Sequence, residues 1–309
     1  MAKWRWIIVV ILLLALVLTG CKNRQDLPKI SFSDVEKETV KVKAENGAEP
    51  LRVAIAAVIS STESIIYYED LLDYLGATLD RPIELVYRKT YSEVNDLLRV
   101  GQVDMAFICT YAYILGKNEF NLELLAAPVI NGKPTYQSYF IVPGQSKAEN
   151  LDDLQGKRFA FTDPISFTGR LYPMYVLKKK GYSPQEYFSE IIYTYSHDNS
   201  IKAVAQNLVD GAAVDGLILE YLYTVDPSYL TKIKIIHKSD EFGMPPVVVP
   251  PGLDEDLKGE LQQFFTSLHL NENSRAILDK ILIEEFVLPE DKDYKSIEEI
   301  VNAVIDDES

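Results

Sequence analysis

Two short segments carry hydroxyl side chains where a strand gives way to a helix. Phe161-Thr162-Asp163-Pro164-Ile165-Ser166-Phe167-Thr168-Gly169-Arg170 leaves an apolar strand, passes through a turn punctuated by Pro and Gly, and enters a helix. This places the hydroxyls of Ser166 and Thr168 at the helix start. Some thirty residues later, Ser196-His197-Asp198-Asn199-Ser200 repeats the arrangement. Helix starts leave backbone N–H groups unpaired and carry a partial positive charge, so they attract anions. Together the two junctions read as halves of a clamp for a small oxyanion. The competing reading is capping, in which the same hydroxyls only accept hydrogen bonds from the helix's own N–H groups. For Asp198 and Ser200 the two readings stand level.

Catalysis fits the residues less well than binding. Ser196, His197 and Asp198 have the residue types of a hydrolase triad, but side chains of adjacent residues diverge along the backbone and cannot form one. The sequence holds no nucleophile elbow, HExxH, phosphate loop or metal-ligand cluster. No catalytic residue, metal or cofactor is expected.

The elements that must position these junctions follow from periodicity and turn residues. Leu51 to Ala56 reads as a strand, followed by a hydroxyl-rich turn at Ser60-Ser61-Thr62-Glu63 and a helix to about Leu79, closed by Arg81-Pro82. Ile83 to Tyr87 is a strand. Tyr91 to Val100 is a helix with Val94, Leu97 and Leu98 on one face and Gly101 behind it. Val103 to Cys109 is a buried strand. Further strands are expected at 139–142, 158–162, 191–195, 212–215 and 232–237, with helices at 151–154, 169–180 and 199–208. Strands alternating with helices imply an α/β fold, two lobes of mixed, mostly parallel sheet flanked by helices. Ligands of such sheets bind beyond the C-terminal strand ends, where the two junctions lie. Pro134, Gly243, Pro245 and Pro246 interrupt the pattern near 134–140 and 238–246 and mark these segments as hinges.

The N-terminus is a second source of function. Lys3 and Arg5 precede an unbroken apolar run from Trp6 to Leu18. That run is short for a membrane span and suits a signal-peptide core. Leu18-Thr19-Gly20-Cys21 directly after it resembles the bacterial lipobox, in which cleavage precedes a cysteine that takes up lipid; palmitate is a typical acyl chain. Two or more acyl chains anchor a protein stably. The expected order is a signal peptide over 1–20, then a lipid anchor at Cys21 with a polar tether to residue 50. As a coil, the tether would reach roughly 30 Å. A plain signal peptide or a short membrane anchor is the competing reading. The other cysteine, Cys109, lies in an apolar run and reads as a small buried hydrophobe. The chain has 31 basic and 46 acidic residues, a net charge of −15. Such a charge argues against nucleic-acid binding, and it requires any anion to be held by local donors.

Several spaced stretches resemble one family. They are Gly101-Gln102-Val103-Asp104-Met105-Ala106-Phe107, Cys109-Thr110-Tyr111-Ala112-Tyr113, Phe161-Thr162-Asp163-Pro164 with Ser166, Thr168 and Gly169, Ser196-His197-Asp198, and Val209-Asp210-Gly211-Ala212-Ala213-Val214-Asp215. In this order they resemble the phosphate-, phosphite- and phosphonate-binding proteins of ABC importers, which have the type 2 periplasmic binding fold. Phe167 departs from the pattern, where family members often carry a third hydroxyl. The resemblance implies one lobe of residues 51–138 plus 240–309 and another of 139–239. It implies that Ser166 and Thr168, with backbone N–H groups around Phe167, Thr168 and Gly169, hold the oxyanion. Tyr113 would reach from the facing lobe, with Thr110 and Tyr111 nearby, and His197 would contact the same oxygens. Asp198 would orient His197 or cap its helix. Asp215 would meet the group attached to phosphorus, such as an amine, and Ser61 and Thr62 would close the pocket. The implied function is an extracytoplasmic, lipid-anchored solute-binding protein, facing the periplasm or cell exterior, that delivers a phosphonate, phosphite or phosphate to an ABC permease. A receptor that reports the same ligand to a membrane sensor kinase is the alternative.

Overall fold

The computed structural model describes residues 39–41, 48–56 and 61–305, with side chains described for 48–56 and 68–305. Cys21 and the apolar run before it lie outside the described residues.

The first half of the chain builds βα units, most of them from the expected segments; residues 39–41, expected as part of a polar tether, instead form a strand paired antiparallel to residues 84–86. Strands β1 (Thr39–Lys41), β2 (Leu51–Ile55), β3 (Ile83–Tyr87) and β4 (Met105–Phe107) alternate with helices α1 (Ser61–Leu79) and α2 (Tyr91–Arg99). Helix α3 (Thr110–Phe120) and strand β5 (Glu123–Val129) follow. Val53 pairs in parallel with Leu85 on one side and Met105 on the other. Buried on both faces, β2 needs the continuous apolar run that its sequence supplies. Two later strands, β13 (Val247–Val249) and β14 (Glu285–Val287), complete a seven-stranded sheet in the order β1-β3-β2-β4-β13-β5-β14. Helices α7 (Glu255–Ser267) and α8 (Glu272–Lys280) pack beside it, α7 on β5 and β14, α8 on α1.

A second sheet has five strands in the order β11-β7-β10-β8-β9. They are β7 (Ser138–Pro143), β8 (Arg158–Phe161), β9 (Glu190–Tyr193), β10 (Gly211–Asp215) and β11 (Ile233–Lys238). Helices α4 (Tyr172–Lys179), α5 (His197–Ala205) and α6 (Gly216–Val225) follow β8, β9 and β10 in turn. Behind the second sheet's strand ends lies an aromatic layer in which Phe159 stacks on Phe188 with ring centres 4.3 Å apart.

The chain crosses between the sheets twice, and the crossings bind to each other. Strands β6 (Thr135–Tyr136) and β12 (Phe242–Gly243) form a two-stranded antiparallel ribbon. Next to it, the backbones of Ser138 and Ser239 exchange hydrogen bonds, one through the Ser239 hydroxyl. The C-terminal helix α9 (Lys295–Ile305) packs against both α3 and α4 and so touches elements of both sheets.

Two further expectations change. Parallel pairing is confined to β3-β2-β4 and β10-β8-β9; the remaining ladders among the described residues are antiparallel. For β13 the cause is the return crossing, which sends it back between β4 and β5 where a helical crossover would have kept the direction. The helix expected at 199–208 starts two residues earlier, which brings His197 and Asp198 into its first turn.

Candidate functional site

Strands β8, β9 and β10 run parallel, so their C-terminal ends and the three junctions that follow share one edge of the second sheet. The first junction is a π-helical turn, Phe167–Leu171, leading into α4. Ser166 caps it, its hydroxyl accepting from the Gly169 N–H at 3.1 Å. The Ser138 hydroxyl donates to the Thr168 carbonyl at 2.7 Å, and the Thr162 N–H donates to the Gly169 carbonyl at 3.2 Å. Only glycine permits this approach, because a Cβ on Gly169 would lie 1.9 Å from Thr162 Oγ1. The Phe167 ring is wholly buried and meets Phe242 edge-on at 4.7 Å, anchoring the turn from behind.

The second junction is tied to the first by the Tyr195 N–H, which donates to the Thr162 carbonyl at 3.1 Å. Tyr195 takes the left-handed region, with φ of 61°. Ser196 then occupies the cap position of α5 without using its hydroxyl as a cap. His197 Nδ1 accepts from the Asp215 N–H at 2.9 Å, which leaves the ring proton on Nε2. Burial pushes the imidazole down to about 3, against the opposing pull of Asp198, so the ring is neutral at any physiological pH. Asp215 caps α6 by accepting from the Leu217 N–H at 2.9 Å. Its carboxyl is pushed up to about 7, chiefly by burial, against the backbone hydrogen bond from Leu217.

Elements of the first sheet close over these junctions. A capping box between Thr90 and Glu93 starts α2, and the next N–H, that of Tyr91, donates across to Asp163 Oδ2 at 3.2 Å. Asp163 Oδ1 accepts from the Ile165 N–H at 2.9 Å; burial nonetheless raises the acid's pKa. The Phe167 N–H donates to Cys109 Sγ at 3.3 Å, and the Lys89 ammonium lies 5.0 Å from the Tyr195 ring centre. Burial raises the Tyr91 phenol well above its ordinary value, with Cys109, Asp163 and Asp215 adding to the effect.

Four hydroxyls in this region are buried without a protein partner: Tyr91 Oη, Thr162 Oγ1, Thr168 Oγ1 and Ser196 Oγ. The residues that carry them are at most 1% exposed. A buried hydroxyl left unpaired costs about 1–3 kcal/mol, so four close to linked junctions mark a place for a partner from outside the chain, a water or a ligand. The neighbouring cations are engaged elsewhere. Arg170 donates to Tyr193 Oη and the Pro164 carbonyl, and Lys202 pairs with Asp198 at 2.7 Å. The donors these junctions could offer an anion are therefore neutral: the unpartnered hydroxyls and the His197 Nε2–H. Hydrogen bonds to a charged acceptor are the strong kind, roughly twice as strong as neutral ones, so neutral donors suffice if every oxygen is met. Among the described residues no group of three His, Cys, Asp or Glu could hold a metal ion.

The expected residues divide into four groups. Ser166, Phe167, Thr168, Gly169, His197, Asp198 and Asp215 stand at the three linked junctions. Within them, the N–H groups of Phe167 and Gly169 are occupied by Cys109 and Ser166, and the Asp198 carboxylate holds Lys202. Thr110 and Tyr111 form a second group behind Cys109. The Thr110 hydroxyl lies 2.6 Å from Tyr136 Oη, and the Tyr111 backbone also hydrogen-bonds the Cys109 thiol. Tyr113 is the exception, since its hydroxyl donates to Asp291 at 2.6 Å and its ring meets Tyr294, so it faces the C-terminal segment. Ser61 and Thr62 open α1, and their side chains are outside the described set. Tyr91 is the residue that sequence reasoning misses. Its signal is a tyrosine at the first helical position behind a Thr-Tyr-Ser-Glu capping box, which frees the tyrosine from any capping duty.

Known proteins resemble the chain in sequence and in fold. A family model described as "ABC transporter, phosphonate, periplasmic substrate-binding protein" matches residues 53–294. The phosphonates-binding periplasmic protein of Escherichia coli strain K12 is 26% identical over 244 residues, covering 77% of this chain and 72% of that protein. The binding-protein component of an ABC phosphonate transporter from Pseudomonas aeruginosa superposes with a TM-score of 0.78 at 24% identity, over 83% of this chain and 87% of its own. PhnD1 from Prochlorococcus marinus, solved in complex with methylphosphonate, gives a TM-score of 0.75 at 20% identity, over 82% of this chain and 97% of its own.

Proposed function

We propose, since the chain belongs to the periplasmic substrate-binding proteins of phosphonate ABC transporters, that it captures a small phosphorus oxyanion through the hydroxyls of Tyr91, Thr168 and Ser196 and the His197 Nε2–H. The observation that carries this reading is the group of buried, unpartnered hydroxyls beside strand ends of the second sheet, these three together with Thr162 Oγ1. A dianion accepting from the first three would replace three unmet hydrogen bonds with charge-assisted ones. In this reading the Ser166 cap and the Gly169 contact hold the turn in shape, and Asp215 meets what is attached to phosphorus. Residues 51–138 with 240–309 act as one lobe and 139–239 as the other, joined by the β6–β12 ribbon and spanned by α9. Cys21 carries a lipid that tethers the chain to the membrane, supported by the apolar run and the Leu-Thr-Gly-Cys that follows it. Finding the membrane-extracted chain unacylated at Cys21 by mass spectrometry would remove the tether.

Calorimetry across phosphite, methylphosphonate, phosphate and sulfate tests the ligand class. Heat and a thermal shift with at least one of the phosphorus compounds are expected, and none with sulfate. Silence from all the phosphorus compounds would reject the oxyanion site.

A further inference from the structure

A cavity of 560 Å³ opens next to the oxyanion site, with Asp215 in its wall. Its volume falls within the range of roughly 300–1,000 Å³ typical of sites for small organic ligands. A proton or a methyl group on phosphorus would leave nearly all of it to water, at roughly 30 Å³ per molecule.

The wall has a definite chemistry. It is largely apolar, and its aromatic members include Tyr68, Tyr221 and Phe286. Every ionisable side chain of formal charge among its described lining residues is an acid: Asp215, Glu220, Asp279 and Glu284. Lys, Arg and His do not occur among them. Both sheets contribute, Glu220 from α6 and Glu284 from just before β14. The oxyanion donors next door are neutral, and Asp163 and Asp215 are buried close by. An oxyanion held there meets like charge and gains no counter-ion from the protein, which is costly where water is scarce. A ligand that brings its own cation removes that cost. Aromatic faces beside carboxylates suit an alkylated ammonium, whose diffuse charge is cheaply desolvated and attracted to rings.

We propose that the ligand is a zwitterion in which the phosphorus oxyanion is joined through a short alkyl stem to an N-alkylated, bulky ammonium group, and that this group fills the cavity outward from Asp215. The inference rests on the oxyanion reading of the adjacent hydroxyls and adds the class of the substituent. The stem passes Asp215, the oxyanion stays on Tyr91, Thr168 and Ser196, and the alkyl groups displace water from the apolar wall.

Four compounds test it by calorimetry on the full folded chain: methylphosphonate, 2-aminoethylphosphonate, 2-(trimethylammonio)ethylphosphonate and its neutral isostere 3,3-dimethylbutylphosphonate. The trimethylammonio compound is expected to bind at least about tenfold more tightly than each of the other three, a difference of about 1.4 kcal/mol. Ile218→Trp, which fills the cavity from α6, should abolish that advantage and leave methylphosphonate affinity unchanged. Equal or tighter binding of methylphosphonate or 2-aminoethylphosphonate overturns the inference and leaves the oxyanion site standing. A neutral isostere that binds as well as the cation also overturns it. Silence from all four overturns the oxyanion site itself, and the inference with it.

Discussion

At the residue scale the site is a trade between stability and binding. Tyr91 Oη is buried with no partner, so it burdens the unliganded protein. Tyr91→Phe is expected to raise unliganded stability by about 1 kcal/mol and to weaken oxyanion binding by about 1–3 kcal/mol. Denaturant melts and calorimetry measure the two, and a loss of stability with unchanged affinity would make Tyr91 a packing residue. Asp215 carries a second prediction. Its pKa rises from 3.8 unfolded to about 7 folded, so the folded state holds the proton more tightly. Its stabilising effect is therefore complete below 3.8 and is lost as pH climbs through about 7. His197 works in the opposite sense, because its folded value falls from 6.5 to about 3 and stability drops as pH falls through that window. The two effects oppose each other between 3.8 and 6.5 and hide one another in the whole protein. Asp215→Asn exposes the first. The stability of the variant relative to the native chain should grow by up to about 1.4 kcal/mol per pH unit from about pH 4 to about pH 7 and then level off. A constant difference across that range would contradict it. At this scale the sequence shows residue types but not partners. Ser166, Thr168 and His197 could be picked out beforehand because they cluster behind strands. Among 19 tyrosines Tyr91 is set apart only by its place behind the Thr90–Glu93 capping box, and Tyr113 looks equally suitable until Asp291, 178 residues away in sequence, claims its hydroxyl.

At the element scale the decisive piece is the turn from β8 into α4. Ser166 supplies the cap, Ser138 holds the Thr168 carbonyl, and Gly169 lets the turn lie against Thr162. Gly169→Ala would force a Cβ into Thr162 Oγ1. The turn must then lift from the strand end, so the variant should lose oxyanion binding and about 1–3 kcal/mol of stability. Calorimetry and a thermal melt check both, and native affinity in this variant would show that the turn is not the binding element. Most elements were legible from period and punctuation. Strand β2 reads as a continuous apolar run and α2 as a stripe of Val94, Leu97 and Leu98 ended by Gly101. Helix α3 was not, because Thr110, Tyr111, Ala112, Tyr113 and Ile114 are all buried and leave no polar face to set a period. Strand direction was not legible either. An antiparallel β13 slots between β4 and β5 only because the chain returns from the second sheet, a long-range event without local signature.

At the scale of the whole molecule, the proposed function rests on two sheets meeting over one site. Tyr91 N–H to Asp163, Phe167 N–H to Cys109 and Lys89 over Tyr195 all join the first sheet's elements to the second's. The linking segments are the β6–β12 ribbon and α9, so the ligand site is enclosed by parts of the chain far apart in sequence. The proposed mechanism follows from this arrangement: opening about the ribbon admits the oxyanion, and closing buries it among neutral donors whose hydrogen bonds strengthen as water leaves. The central claim is that the junctions near residues 168 and 197 hold one and the same anion. A crystal structure of the protein grown with methylphosphonate tests it most directly. Phosphonyl oxygens are expected within hydrogen-bonding distance of both Thr168 Oγ1 and the Ser196–His197 junction, with Tyr91 Oη reaching in from the facing lobe. Phosphonate density bound elsewhere, with those hydroxyls still unpartnered, would contradict it.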